Sequence, residues 1–262
     1  MSSYSSIIVR KKGMHLEISL NRPEKRNALN KQLVDELKQS LREASADRDI
    51  RTITLTGQGS AFCSGADLGY LKELRNFSRQ ENLRDSLSLA ELYLLIYQLP
   101  KPVVALVEGP ALAGGCGLAG VCDFVLATPE AKFGYPEVKI GFIAALVSAF
   151  LIRQAGERQA RELLISGRIL NAQQAKACGL ITTIYEKEQI RSEHEKLILQ
   201  LSRNSSLAMQ RTKEIFANNV LPEIETEIKK LVWLNAAFRE SADFLEGISA
   251  FIDKRKPSWY VE

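Results

Sequence analysis

The stretch KPVVALVEGPALAGGCGLAGVCDFVLAT, residues 101–128, decides the fold class. Val103 to Gly109 is an apolar, β-branched run opened by a Lys-Pro pair, the pattern of a buried strand. A Gly-rich turn follows and enters a short helix of very small side chains. Asp123 to Thr128 then reads as a second strand. Strand, turn, helix and strand in this order belong to an α/β protein.

The same rhythm extends toward the N-terminus. Residues 7–10 and 14–20 read as two strands around a turn at Lys11–Gly13, with Leu16, Ile18 and Leu20 alternating onto one face. The Pro-containing basic loop NRPEKRNAL (21–29) leads into a helix whose Leu29, Leu33, Leu37 and Leu41 fall four apart. Ile50 to Thr56 is a strand closed by Gly57–Gly59. After the loop AFCSGADL (61–68), residues 69–98 read as one helix with Leu83, Leu87, Leu94 and Leu95 on its apolar side.

Toward the C-terminus, helices are expected at about 143–154, 157–165 and 172–178, with a late strand at 180–185. Beyond 187 the pattern is helical with a break at Pro222. Residues 1–198 therefore form an α/β core, and 199–262 a helical unit that packs separately. The opening MSSYSS reads as a frayed terminus.

With 262 residues, 45% of them apolar and 25% charged, the chain suits one substantial core with a small appendage. A net charge of +4 could attract phosphates, but no Lys/Arg block reaches the density of a nucleic-acid footprint; KRK at 254–256 comes nearest. The four cysteines, Cys63, Cys116, Cys122 and Cys178, form no CxxC pair and read as reduced and mainly buried, in a cytoplasmic setting. His15 and His194, the only histidines, read as exposed and stand in no metal-ligand spacing. A zinc site or a Ser-His triad is not expected. No signal peptide opens the chain, and the most apolar run, 141–152, is too short for a bilayer.

Three segments could carry chemistry. AFCSGADL brings Gly65 to a loop entering a helix, where the amides near Ala66 and Asp67 lack helical acceptors. AGGCGLAG (113–120) places Gly114, Gly115 and Gly117 at a helix start that favours negative charge. It fits neither GxxxxGK[ST] nor GxGxxG. Each loop alone reads equally as a structural turn. Together, two amide-presenting loops suit a carbonyl that becomes an enolate and needs two donors. In FGYPEVKIGF (133–142), Glu137 stands among Phe133, Tyr135, Val138, Ile140 and Phe142, surroundings that would raise its pKa. An exposed loop carboxylate is the plainer alternative.

Taken in order, NRPEKRNAL, GQGSAFCSGADL, KPVVALVEGPALAGGCGLAGVCDF, AKFGYPEVKIGF, GERQARELLISGRILNAQQAKACGLI and FLEGISAFIDKRKPSW resemble the crotonase superfamily over nearly the whole chain. The wording of several motifs looks like its methylglutaconyl-CoA hydratase-like members. The resemblance implies a spiral of strand-strand-helix repeats with a C-terminal helical trimerisation region, assembling as a homotrimer or a dimer of trimers. It implies an acyl-CoA substrate, with coenzyme A as part of that substrate and no separate cofactor or metal.

Carried over by motif, the amides of Ala66 and Gly114 form an oxyanion hole and Glu137 is the acid/base. Lys25, Arg26, Ala28, Asp67, Leu68 and Gly115 bind the substrate. Phe142, with Ile143 and Leu146, lines the acyl pocket, and its bulk favours short acyl groups. Phe251 and Lys254 match a segment that reaches a neighbouring subunit's nucleotide.

One position departs from the pattern. Hydratases of this type place a first glutamate three residues after the oxyanion glycine, where this chain has Gly117. A lone acid suits double-bond isomerisation, while the surrounding motifs favour a hydratase of short or branched 2-enoyl-CoA. A homologue that binds acyl-CoA or RNA without catalysis is the third reading.

Overall fold

The computed structural model describes residues 4–261, without the Leu68 side chain. In chain order the elements are β1 (Ile7–Lys12), β2 (His15–Leu20), α1 (Lys31–Ala46), β3 (Thr52–Gly57), α2 (Leu68–Leu74), α3 (Arg79–Gln98), β4 (Val103–Val107), β5 (Ala111–Leu112), α4 (Gly114–Gly120), β6 (Phe124–Ala127) and β7 (Lys132–Gly134). There follow α5 (Ala145–Ala155), α6 (Glu157–Ser166), β8 (Ile169–Asn171), α7 (Ala172–Ala177), β9 (Thr183–Ile184), α8 (Ile190–Arg203), α9 (Ser206–Phe238) and α10 (Ala242–Ile252). Short 3₁₀ turns occupy Pro23–Lys25 and Pro136–Ile140.

The larger sheet runs β1-β2-β3-β4-β6-β9, and only its β1–β2 pair is antiparallel. Strands β3 and β4 are buried along nearly their whole length, as parallel strands covered on both faces must be. The smaller sheet runs β5-β7-β8. Its parallel β5–β7 pairing, Ala111 with Phe133 and Leu112 with Gly134, sets two chain segments side by side just before they turn out of the sheet. This pairing positions the site described below.

Helix α1 forms as the spacing of Leu33, Leu37 and Leu41 predicts, but Leu29 lies before its cap and bridges to Ala66 instead. Asn30 caps it by accepting from the Leu33 amide, and Leu33, Leu37 and Leu41 are fully buried, each contributing roughly 1.5–3 kcal/mol of apolar burial.

Several expectations are corrected. The helix expected over 69–98 is two helices, because Ser78 and Glu81 form a capping box that starts α3 afresh. Leu83 and Leu87 lie on its exposed side. Asn82, Ser86, Ala90 and Tyr93 face inward instead. The polar ones are tolerated because α9 supplies partners: Ser86 donates to Asn235, and Arg239 donates to Asn82.

Helix α9 runs unbroken through Pro222. The burial of Ile224, Ile228 and Val232 in the main core outweighs the roughly 3 kcal/mol a helical proline costs. That same burial joins this helix to the core.

His15 and His194 are buried rather than exposed, each bonded to a threonine of β3: His15 to Thr52 at 2.9 Å and His194 to Thr54 at 2.7 Å. Sheet β2–β3 and helix α8 close over them. Tyr4 is held by Glu43 and Ser5 and Ser6 by Glu36, so the expected fray is absent from residues 4–6, and residues 1–3 lie outside the described residues. Among the described residues, no helix is long and apolar enough to cross a membrane.

Candidate active site

Two turns and one carboxylate are brought together by the small sheet. The Cys63 amide donates to Pro110 and the Leu112 amide returns to the Cys63 carbonyl, so the 61–67 loop zips onto β5. The approach is close enough to demand glycine. A Cβ on Gly115 would lie 2.2 Å from the Cys63 carbonyl oxygen, and one on Gly65 would lie 2.8 Å from the Ala113 Cβ. Ala66 and Gly114, predicted as paired donors, therefore stand on touching turns.

Leu29 bridges both, pairing with Ala66 and reaching to 3.0 Å from where a Gly114 Cβ would stand. Among the described residues, neither the Ala66 N–H nor the Gly114 N–H meets an acceptor. Ala66 is exposed and Gly114 half-buried.

Glu137 arrives by the neighbouring strand. Leu112 and Gly134 are paired, and the chain leaves the sheet toward Gly114 on one side and Glu137 on the other. Pro136 opens the 3₁₀ turn that carries the carboxylate. The side chain is only 8% exposed, and its Oε2 has no hydrogen-bond partner. Burial pushes its pKa up to about 7. The buried Tyr93, Tyr135 and Cys116 all feel its charge. A buried carboxyl oxygen without a partner is costly, which makes Glu137 a candidate for the site.

The basic loop pairs with the same turns. Ser64 donates to the Arg26 carbonyl, Leu29 to Gly65, and Asp67 back to Leu29. Arg26 and Asn27 both have positive φ, held by buried Asn27, whose side chain accepts from Arg22 and donates to Gln58 and Ala61.

The Asp67 side chain is committed to structure. It caps α2 through the Gly69 and Tyr70 amides and accepts from Arg22 at 2.6 Å. Burial alone would raise its pKa, but Arg22 and the Gly69 amide outweigh it and hold it below the usual carboxylate value. Its amide donates to Leu29, so its carbonyl, which also accepts from Leu71, is the one group left to meet a ligand. Leu68 opens α2, and its side chain lies outside the described residues.

A cleft of about 610 Å³ opens beside this loop, lined by Arg22, Lys25, Lys31, Asp67 and Tyr70 among others. Glu137 is not among its lining residues. Ala28 is buried behind the cleft, whereas Arg26 is exposed.

The remaining predicted residues sit farther out. Phe142 packs on Phe244 and Phe238, with ring centroids 5.1 and 6.5 Å away, beneath the Arg239 guanidinium. Its amide returns to the Glu137 carbonyl. Helix α10 lies directly on this turn: a Cβ on Gly247 would meet the Ile140 carbonyl oxygen at 2.2 Å. Phe251 is exposed near the end of α10, and Lys254 follows it with positive φ.

Two residues were not singled out from the sequence. Tyr93, in the middle of α3, donates its hydroxyl proton to the Gly114 carbonyl at 2.9 Å. Val147 of α5 fills the space in front of Gly117, where an added Cβ would stand 2.3 Å from its Cγ1. An inward-facing Tyr among leucines was the one signal available, and the period assigned to α3 hid it.

Residues 10–261 match the family described as enoyl-CoA hydratase/isomerase. The chain is 42% identical to “Putative enoyl-CoA hydratase” of Thermus thermophilus, over 94% of this chain and 97% of that one. It is 32% identical to “Crotonyl-CoA hydratase” of Syntrophomonas wolfei, over 98% of each. It also superimposes on the crystal structure of an enoyl-CoA hydratase from Mycobacterium avium subsp. paratuberculosis with a TM-score of 0.88 at 26% identity, covering 99% of this chain and all of that one. The fold is thus the α/β crotonase fold with a helical C-terminal region. The chain belongs to the enoyl-CoA hydratase/isomerase family.

Proposed function

We propose that this chain is an enoyl-CoA hydratase acting on a short or branched 2-enoyl-CoA, with Glu137 as its single acid/base. The observation that carries the reading is the buried, unpartnered Glu137 Oε2, three residues beyond Gly134, whose strand partner Leu112 lies two residues before the unpaired Gly114 amide.

In this reading the thioester oxygen accepts from the Ala66 and Gly114 amides, which stabilise negative charge as it develops there. The Glu137 carboxylate takes a proton from water while the water oxygen bonds to the β-carbon. Electrons move onto the thioester oxygen, giving an enolate. The protonated Glu137 then returns the proton to the α-carbon, completing the addition of one water. A pKa near 7 suits a group that must accept and donate in one cycle.

Lys25, Arg26, Ala28 and the Asp67–Leu68 and Gly115 main chain would hold coenzyme A along the basic loop and its cleft. Phe142, Ile143 and Leu146 would close the acyl pocket. Phe251 and Lys254, exposed near the C-terminus, would meet a neighbouring subunit. Exposed Leu207, Ile215, Phe216 and Leu234 on α9 support assembly through the 199–262 region into a trimer or a dimer of trimers. Four free cysteines support a reducing, cytoplasmic setting.

Isomerisation is the second reading, favoured by one observation: Val147 fills the space before Gly117, so no second carboxylate fits there. Glu137 would then carry a proton from C2 to C4 of a 3-enoyl-CoA.

Absorbance separates the readings. Loss of the conjugated signal with crotonyl-CoA supports hydration. Gain of that signal with a 3-enoyl-CoA supports isomerisation. Silence with both, alongside coenzyme A binding, favours a binding protein or a different acyl substrate. A preference for long acyl chains counts against the short-chain assignment.

A further inference from the structure

The Gly114 turn is strained and clamped. Ala113 holds φ 51° and ψ −128°, a conformation that favours glycine. Two consecutive glycines follow it, so no side chain of their own anchors the start of α4. Beyond the helical bond from the Gly117 amide to the Ala113 carbonyl at 3.1 Å, two bonds restrain the turn from opposite sides. On one, the Ala113 amide donates to the Gly134 carbonyl at 2.8 Å. On the other, the Tyr93 hydroxyl donates to the Gly114 carbonyl at 2.9 Å.

Tyr93 is fully buried, and a buried hydroxyl is favourable only when bonded. Its oxygen also lies 3.1 Å from where a Cβ would stand on either Gly114 or Gly117, so it spans the inner face of this helical turn. Its ring is fixed edge-on by Phe150, with centroids 6.3 Å apart.

We propose that Tyr93 is a positioning residue for the reaction: its hydroxyl holds the Gly114 carbonyl, and so keeps the first residue of α4, with the N–H it presents, in place against the substrate carbonyl oxygen. This rests on the acyl-CoA reading given above. Without the hydroxyl, Gly114 loses its anchor on the inner face of α4 and shifts from the substrate oxygen, while the coenzyme A loop around Lys25 is untouched.

The test uses Tyr93→Phe in the full chain, with a conjugated dienoyl-CoA as probe. Polarisation of the thioester carbonyl shifts the absorbance of such a probe to longer wavelength on binding. The expected result is a smaller red shift and a kcat about tenfold lower, at unchanged KM. Phe150→Leu loosens the packing of the same ring and leaves the hydroxyl in place. It should lower the melting temperature and keep the red shift, which separates placement from general stability.

An unchanged red shift and kcat in Tyr93→Phe overturns the proposal, as does an equal loss of red shift in Phe150→Leu. If the unmutated protein itself binds the probe without any shift, the acyl-CoA reading falls first and this one with it.

Discussion

Gly117 and Val147 exclude any larger residue from the place where this family's hydratases carry a carboxylate. A Cβ on Gly117 would lie 2.3 Å from Val147 Cγ1, and 3.1 Å from the Tyr93 hydroxyl. The gap in the acid pair is therefore packed rather than empty. Gly117→Ala should cost about 1–3 kcal/mol as an overpacking change, despite the better helix propensity of alanine. Val147→Ala in the same chain should recover most of that loss. Denaturant midpoints of the two single variants and the double variant check the coupling.

Replacing Glu137 should slow chemistry and leave binding. Glu137→Gln is expected to lower kcat by about 10²–10⁴-fold, the range for a lost acid/base, with little change in acyl-CoA affinity. In the unmutated enzyme, the step that needs the carboxylate as base should strengthen as pH rises through about 7. Steady-state rates from pH 5 to 9 measure both.

The same substitution should stabilise the fold in alkaline solution. Glu137 has a folded pKa near 7, above its ordinary 4.5, so the folded state holds the proton more tightly. Its favourable contribution is complete below 4.5 and is lost as pH rises toward 7, at up to ~1.4 kcal/mol per pH unit. Gln mimics the protonated acid. The melting temperature of Glu137→Gln should exceed that of the parent at pH 8, and the two should converge near pH 4.5.

Acid should unfold the protein through its buried histidines. Burial lowers His15 and His194 from 6.5 to about 4, and their rings stack edge-on at 5.6 Å. The folded state binds these protons less readily than the unfolded chain. Stability is thus full above 6.5 and falls as pH drops toward 4, at up to ~1.4 kcal/mol per histidine per unit. Urea midpoints between pH 4 and 7 should show this slope, and His194→Gln should flatten part of it.

Arg239 ties α9 to α3. It is buried, with Asp85 at 2.7 Å and Asn82 at 3.1 Å, and Asp85 also accepts from Tyr70 of α2. Arg239→Ala strands a partly buried carboxylate and should cost about 3–5 kcal/mol. Thermal unfolding reads the loss, which would be absent if this network were merely a solvated surface pair.

Much of this protein is legible in its residues alone. Leucine spacing fixes α1, β-branched runs fix β3 and β4, and the ordered motifs name the family and select Ala66, Gly114 and Glu137. Each of these is a local signal or a contiguous string. Tertiary packing decided the rest. Asn82 and Ser86 face inward only because α9 brings Asn235 and Arg239 to meet them. Pro222 stays helical because the core holds α9 on both sides of it. His15 and His194, far apart in the chain, are buried by one sheet and one helix. Tyr93 reaches Gly114 and Val147 covers Gly117 across distances no sequence window spans. A side chain's partners depend on where distant segments are carried, and that information exists only once the chain has closed around its core.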